Sequence, residues 1–214
     1  MKDEYEMIFK AVIEGDVEGV DKLVRDALNG GAKSGDILNQ GLIRAMDEVG
    51  NRFERGDFFV PEMLISAKAM KTGLAILRPY LVEAGVASVG RVIIGTIKGD
   101  LHDIGKNLVT MMLEGGGFEV IDLGTDVAPE KFASAVREYS PDIVGMSALL
   151  TTTMVQMKNA IEAIDDLGLR DQVKVIIGGA PVTQGYAEKI GADGYAPDAI
   201  KAVNLAKSIL RSTG

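Results

Sequence analysis

Apolar residues in the first part of the chain recur with a helical period. After Ser34 they fall at steps of three and four residues and form a one-sided stripe: Leu38, Leu42, Ala45, Met46, Val49 and Phe53. Ser34 is a candidate N-cap for this helix, Gly56 is its candidate end, and a further helix follows Gly56. Two shorter helices near 3–14 and 17–29 come first, so residues 1–86 are predicted to form a four-helix bundle.

After about Gly85 the pattern changes, because short apolar runs typical of buried strands alternate with helical stretches. The predicted strands lie at 91–97, 119–124, 142–148, 174–179 and 194–196, with helices near 104–114, 129–139, 153–167, 182–190 and from 198. This alternation is typical of a parallel sheet covered by helices. The predicted fold class is therefore α/β: a helical bundle cap over 1–86, then a Rossmann-like (flavodoxin-like) domain with a five-stranded parallel sheet over 87–214. The small-residue stretch at 82–90 is the predicted linker and hinge.

Composition excludes several kinds of chemistry. The 214 residues include no cysteine and one histidine, which excludes disulfides, thiolate metal sites and multi-histidine metal sites. The formal charge of −8 argues against a surface that binds nucleic acid, and no apolar run is long enough to span a membrane. Because the first residues are acidic and amphipathic and do not form a signal sequence, we expect a cytoplasmic protein.

The single histidine stands in KGDLHDIGKNL at 98–108, directly after the first predicted strand. Gly99 and Gly105-Lys106 resemble a phosphate-binding loop, but the spacer is too long, and Asn107 replaces the Ser or Thr that would hold magnesium. Aspartates in the same loop would also repel a phosphate, and the dinucleotide fingerprint is absent. The sequence therefore does not predict a nucleotide site.

Asp100 and His102 stand two positions apart in this segment. In extended backbone such residues face the same way, so the carboxylate can reach the imidazole. A carboxylate on one ring nitrogen fixes the tautomer and raises the basicity of the other nitrogen, as it does around metal-bound histidines. Gly105 allows a large group to approach the start of the next helix. The alternative is that the Asp–His pair only caps that helix.

The later strand ends contribute small and hydroxyl-bearing residues. Ser147 lies at the end of the third predicted strand and Thr151–Thr153 follow it, while Gly178-Gly179 ends the fourth. Because ligands of parallel sheets bind beyond the carboxyl ends of the strands, these residues would line a slot beside His102. Such a lining suits the tail of a large amphipathic cofactor. Taken separately, these residues can also be explained as helix caps and turns.

Together, three motifs resemble the cobalamin-binding signature of methionine synthase and of corrinoid proteins in methyltransferase systems: Asp100-x-His102-x-x-Gly105, Ser147-x-Leu149 and Gly178-Gly179. The segment at 49–70 resembles the cap segment of such corrinoid proteins, so the likeness covers nearly the whole chain. It is greatest to the stand-alone corrinoid proteins that serve methylamine, methanol, glycine-betaine or methoxy-aromatic methyltransferases.

The resemblance implies that His102 is the lower axial cobalt ligand of a base-off cobalamin. Asp100 would bind the other ring nitrogen, and Thr153 would complete a hydrogen-bond relay. Further implied cofactor contacts lie in the same loop and at the other strand ends: Leu101, Asp103, Ile104, Gly105, Ser147, Leu149, Thr151, Gly178, Gly179, Tyr195 and Asp198.

The resemblance also implies that the bundle covers the upper face of the cofactor. Met63, Leu64 and Met70 lie on the apolar stripe of the fourth predicted helix and are the implied contacts. Helical spacing by itself favours the alternative that these side chains pack in the core of the bundle.

The implied function is that of a methyl carrier, which is not catalytic alone. Cobalt would take a methyl group as Co(I) from a substrate:corrinoid methyltransferase and give it, from methyl-Co(III), to an acceptor methyltransferase that uses tetrahydrofolate or a thiol. A reductive activase would be a third partner, and neither nucleic acid nor a membrane is expected. The alternatives are the cobalamin-binding subunit of an adenosylcobalamin mutase, a cobalamin-sensing regulatory protein, and a response-regulator-like domain without a cofactor.

Overall fold

The computed structural model describes residues 2–86 and 88–211. The chain forms two compact units. The first comprises Met1–Ser88 and Glu114–Gly117, and the second comprises Val89–Leu113 and Phe118–Gly214. Within the described ranges, no helix combines the length and the apolar character that crossing a membrane requires.

The first unit contains α1 (Lys2–Glu14), α2 (Val17–Asn29), a long third helix and α4 (Val60–Glu83). The third helix, α3, runs through three consecutive segments, Ser34–Asp36, Ile37–Ile43 and Arg44–Arg55. The predicted helices are therefore present. Most of the apolar stripe of α3 is buried, namely Leu38, Leu42, Ala45, Met46 and Val49.

The two ends of α3 agree only partly with the sequence prediction. Gly56 ends the helix with a φ of 79°, in the left-handed region that glycine adopts without strain. The prediction of Ser34 as the N-cap is wrong, because Lys33 holds that position and its side chain makes no capping hydrogen bond. The Ser34 hydroxyl instead donates to the carbonyl oxygen of Tyr80 at 3.3 Å. The hydroxyl therefore forms a tertiary hydrogen bond instead of capping its own helix.

The middle segment of α3, Ile37–Ile43, is a π-helix that the sequence did not predict. Its buried residues are Ile37, Leu38, Gly41 and Leu42. Over a segment this short, apolar steps of three and four residues fit both an α and a π turn. The hydrophobic pattern therefore predicts a helix here but not its winding.

The second unit is built on a five-stranded parallel sheet with the strand order β2-β1-β3-β4-β5. The strands are β1 (Arg91–Thr96), β2 (Glu119–Asp122), β3 (Ile143–Ser147), β4 (Lys174–Gly178) and β5 (Gly194–Ala196). The helices that follow them in turn are α5 (Ile104–Gly115), α6 (Pro129–Tyr139), α7 (Val155–Asp166), α8 (Gln184–Ile190) and α9 (Ala199–Arg211). The predicted α/β fold with a five-stranded parallel sheet is confirmed.

The central strands are apolar along their length because helices cover both faces of the sheet. Phe132 of α6 is fully buried and belongs to a core cluster with Ile93, Val144 and Ile177 of the three central strands. β1 ends at Thr96, one residue earlier than predicted, and Ile97 makes only an isolated bridge to Val127. The loop that contains His102 therefore begins at Ile97.

We expect Phe132→Ala to lower the free energy of unfolding by about 3–5 kcal/mol, because it removes a fully buried aromatic ring and leaves a cavity. Leu167→Ala is the matched control, since Leu167 is a large apolar residue of the same unit with 46% of its surface exposed. For the control we expect a loss below about 1 kcal/mol. Urea unfolding followed by circular dichroism measures both, and equal losses would contradict the core position of Phe132.

Candidate functional site

The histidine loop, residues 97–103, lies where the strand order of the sheet reverses. β1 and β3 are neighbours, but the chain leaves β1 toward β2 on one side and leaves β3 toward β4 on the other. The loops that follow these two strands therefore diverge and leave a crevice, which is where open α/β sheets bind ligands. The β3 loop, residues 148–154, is the second wall. Ile97 N–H donates to the Ser147 carbonyl at 3.1 Å, which brings the two loops side by side.

Asp100 is fully buried, and its carboxylate joins the two loops. Oδ1 accepts a hydrogen bond from the His102 backbone N–H at 3.0 Å and lies 2.7 Å from His102 Nδ1. Oδ2 accepts from the backbone N–H groups of Leu149 at 2.7 Å and Leu150 at 3.2 Å. The Thr153 hydroxyl also donates to Oδ2 at 3.2 Å. Thr153, Asp100 and His102 are therefore connected by hydrogen bonds.

These hydrogen bonds set the protonation of the Asp100 carboxyl. Burial raises the pKa of this group, but hydrogen bonds from the backbone of His102 and Leu149, the His102 ring and the backbone of Leu150 outweigh it and lower the pKa to about 2. The carboxylate is therefore ionised at neutral pH and can only accept hydrogen bonds. Its acceptor role places a proton on His102 Nδ1, so the neutral imidazole presents an unprotonated Nε2.

The imidazole of His102 is held on one side and open on the other. Its side chain is 54% exposed, and no described residue forms a hydrogen bond with Nε2. The hydroxyl of the fully buried Thr96 donates to the His102 carbonyl at 2.9 Å and fixes the backbone. An imidazole oriented by a carboxylate, with its second nitrogen free, is the usual arrangement of a metal-ligating histidine.

The surroundings of His102 fit a metal that brings its other ligands with it. Among residues 2–86 and 88–211, no group of three or more His, Cys, Asp or Glu side chains gathers as a metal site. Apolar side chains beside the histidine are exposed instead, with Leu101 at 72% and Ile104 at 87%. Leu149 and Leu150 of the β3 loop are exposed as well. A large, flat, mainly apolar group bound to Nε2 could cover these side chains and gain from their burial.

Two glycines shape the sheet edge next to this site in different ways. At Gly105, in the first turn of α5, an added Cβ would meet nothing within 4 Å, so free space borders the helix start. Gly179 has a φ of 124°, and a Cβ there would lie 1.9 Å from the Ala148 carbonyl oxygen. The end of β4 therefore approaches the β3 loop more closely than any side chain permits. Backbone forms that part of the predicted slot.

The remaining predicted residues of the second unit have varied surroundings. Ser147 is half-buried at the end of β3, and Thr151 is exposed in the β3 loop. Tyr195 packs, partly buried, against the core of the unit. The Asp198 carboxylate accepts a hydrogen bond from the Lys201 backbone at 2.8 Å and so caps α9. For Tyr195 and Asp198 these structural roles are sufficient explanations, and their cofactor contacts stay predictions.

In the first unit, Met63 and Met70 are buried and Leu64 is partly exposed. Burial favours the core-packing alternative for the two methionines. Their predicted contact with a cofactor, and that of Leu64, stays a prediction.

Two residues that hold the histidine loop were not predicted from the sequence. One is Thr96, whose signal is a hydroxyl within a buried apolar strand. The other is Asp126 in the loop after β2. Its Oδ1 accepts from Gly99 N–H at 2.7 Å, and its own N–H donates to the Asp100 carbonyl at 3.0 Å. The positive φ of Asp126, 53°, is consistent with such a tight turn, since aspartate tolerates this conformation better than most residues.

We expect Asp100→Asn to be less stable than the wild type at neutral pH by about 2 kcal/mol, which corresponds to the lowering of the pKa from 3.8 to about 2. Because the folded-state pKa lies below the unfolded value, this contribution is complete above about pH 4 and is lost as the pH falls toward 2. Urea unfolding at several pH values measures the difference.

The exposed Asp165 provides the control, since Asp165→Asn should change stability by less than about 0.5 kcal/mol throughout. If the difference between Asp100→Asn and the wild type stayed constant down to the lowest accessible pH, the ionised state of Asp100 would not be its cause.

Comparisons with known proteins identify the family to which the chain belongs. Two family profiles, each described as a B12 binding domain, match the chain over residues 90–204 and 4–78. A corrinoid protein of Desulfitobacterium hafniense is 43% identical over 204 residues, which cover 94% of this chain and 94% of that protein. Trimethylamine corrinoid protein 2 of Methanosarcina acetivorans is 45% identical over 217 residues, which cover 99% of this chain and 100% of that protein.

Solved structures give the same result. The methanol:cobalamin methyltransferase complex from Methanosarcina barkeri contains a chain that matches with a TM-score of 0.87 and 30% identity, over 98% of this chain and 80% of that chain. A cobalamin-binding protein from Desulfitobacterium hafniense matches with a TM-score of 0.79 and 29% identity, over 96% of this chain and 98% of that chain. The protein described here is therefore a member of the corrinoid protein family, with B12 binding domains along most of its length.

Proposed function

We propose that this chain binds cobalamin in the base-off form, with His102 Nε2 as the lower cobalt ligand, and serves as a methyl carrier between two methyltransferases. The observation that carries the proposal is the imidazole itself, which is fixed at Nδ1 by a buried ionised carboxylate and open at Nε2. His102 would hold the cobalt, and the bound cofactor would supply the chemistry of methyl transfer between a donor and an acceptor methyltransferase. The protein supplies position and electrostatics.

The relay would control the electron density that Nε2 offers to the metal. Asp100 accepts a hydrogen bond from Nδ1–H and so makes Nε2 a stronger electron-pair donor, while Thr153 and two backbone N–H groups restrain the carboxylate. These hydrogen bonds are all made by the chain itself, so they would hold the imidazole in the orientation that a metal on Nε2 requires.

The displaced nucleotide tail would lie in the slot at the ends of β3 and β4. Gly178 and Gly179 have no side chains, so backbone alone would line the slot at the end of β4. Ser147 and Thr151 would provide hydroxyl groups beside it. Ionised side chains are not required for such a slot, which suits a long tail of mixed polarity. Tyr195 and Asp198 are proposed to border its far end.

The proposed partners are a donor methyltransferase, an acceptor methyltransferase that uses tetrahydrofolate or a thiol, and a reductive activase, all in the cytoplasm. The names of the relatives, which include trimethylamine and dimethylamine corrinoid proteins, favour a methylated amine as the methyl donor. They also favour a carrier over a mutase subunit or a regulatory protein.

We expect His102→Ala to bind methylcobalamin in a form that lacks an axial nitrogen ligand, because the variant loses Nε2 but keeps the slot for the tail. Because His102 supplies an axial nitrogen in place of the cofactor's own base, the visible spectrum of the wild-type complex should resemble that of base-on cobalamin, and the spectrum of the variant should show no axial nitrogen. A wild-type complex whose spectrum shows no axial nitrogen would contradict the assignment of His102. If the wild type bound no corrinoid, the proposal as a whole would fail.

Gly105→Ala distinguishes an effect on the stability of the fold from an effect on cobalamin binding. The added methyl group meets no protein atom within 4 Å, and alanine favours a helix, so the variant without cofactor should be as stable as the wild type or up to about 1 kcal/mol more stable. The same methyl group enters the space proposed for the corrin ring, so affinity for cobalamin should fall about tenfold or more. Thermal melting and equilibrium titration measure the two quantities. Unchanged affinity would place the ring elsewhere.

A further inference from the structure

Lys106, which the proposed function leaves without a role, is buried in the first turn of α5. Only 3% of its surface is exposed. Its Nζ forms an ion pair with Asp122 Oδ2 at the end of β2 and donates to Asn107 Oδ1 at 2.7 Å. The other oxygen of Asp122 accepts from Gly124 N–H at 2.9 Å. The ammonium group is thus engaged by the protein and is not presented to a phosphate, in contrast to the lysine of a phosphate-binding loop.

A buried ion pair is weak evidence for stability, because desolvation offsets much of the attraction between the charges. The pair does restrain the local geometry, because the buried ammonium group of Lys106 needs its acceptors at hydrogen-bonding distance. The pair therefore fixes the first turn of α5 relative to the end of β2. That turn begins at Ile104, two residues after His102.

Hydrogen bonds continue from Lys106 back to the residue beside the histidine. Asn107 accepts from Lys106 and donates through Nδ2 to Asp103 Oδ2 at 3.0 Å. The Asn107 backbone N–H also donates to the Asp103 carbonyl at 2.7 Å. We call Lys106, Asn107, Asp103 and Asp122 the lysine network. It extends without a break from β2 to the neighbour of His102.

The lysine network complements three attachments already described. Asp100 joins the histidine loop to the β3 loop, and Asp126 joins the beginning of the histidine loop to the loop after β2. The Thr96 hydroxyl holds the His102 carbonyl. None of these three attachments is made to Asp103, the last residue of the loop, and the lysine network supplies one there.

From this arrangement we propose that Lys106 is a positioning residue that holds His102 in the place where Nε2 ligates cobalt. The proposal rests on the proposed function, since it concerns the histidine as a metal ligand. It assigns to Lys106 neither contact with the cofactor nor a proton transfer. The competing explanation is that Lys106 contributes only to the stability of the second unit.

Lys106→Met is the main test, because methionine fills the same elongated space without a charge. Asp122 keeps its contact with water in this variant, since its side chain is 36% exposed. Asn107→Ala is the second variant. It keeps the Lys106–Asp122 pair but removes the side-chain link to Asp103. Lys98→Met is the matched control, since it removes an exposed lysine from the histidine loop.

Each protein is saturated with methylcobalamin, and the visible spectrum gives the ratio of histidine-ligated to base-off cofactor. We expect Lys106→Met to bind the cofactor and to lower this ratio about tenfold, as substitutions behind a metal ligand commonly do. Asn107→Ala should lower it in the same direction, and Lys98→Met should leave it unchanged. Ile164→Ala, which removes a fully buried side chain from the last turn of α7, at the opposite edge of the sheet from the histidine loop, should keep the wild-type ratio although it melts at a lower temperature.

A wild-type ratio in Lys106→Met, or a comparable loss of ligation in Ile164→Ala, would overturn the proposal and leave Lys106 as a structural residue. If Lys106→Met does not fold, Asn107→Ala decides, and an unchanged ratio in that variant overturns the proposal. A wild-type protein without histidine ligation is a different outcome, because it removes the proposed function on which this inference rests.

Discussion

The geometry of the site depends on one buried carboxylate. Asp100 stands at the switch point of the sheet and receives hydrogen bonds from donors on both loops there, so it connects two segments that the chain separates by about fifty residues. Its charge is retained in the interior because backbone N–H groups, a hydroxyl and an imidazole replace the water it has lost. The same contacts orient His102. A single ionised group thus holds the loops together and selects the tautomer of the histidine.

Much of this arrangement could be predicted from the sequence, because it depends on local pattern. Strands buried on both faces read as apolar runs, and parallel strands bring their carboxyl ends to one edge. Asp100 and His102 were predictable as a pair because only one residue separates them, which keeps the carboxylate within reach of the imidazole. This contact lies within one short segment, so it could be predicted without any knowledge of the tertiary fold.

The features that were missed or wrong depend on partners far away in the chain. Ser34 was expected to cap its helix, but its hydroxyl donates to the carbonyl of Tyr80, which only the tertiary fold brings near. Asp126 binds the backbone of the histidine loop from another strand end, and nothing in its own segment indicates which backbone it will meet. The π segment of α3 escaped because apolar spacing does not encode the winding of a helix.

All of the hydrogen bonds described here that fix Asp100 and His102 come from residues between Thr96 and Thr153, within the second compact unit. The orientation of the imidazole is consequently a local property of a sheet and its loops. A sequence can exchange the helices that precede this unit without rebuilding the histidine site. The unit therefore has the character of an evolutionary module, one that gene fusion can join to other helical segments while its ligand chemistry is inherited intact.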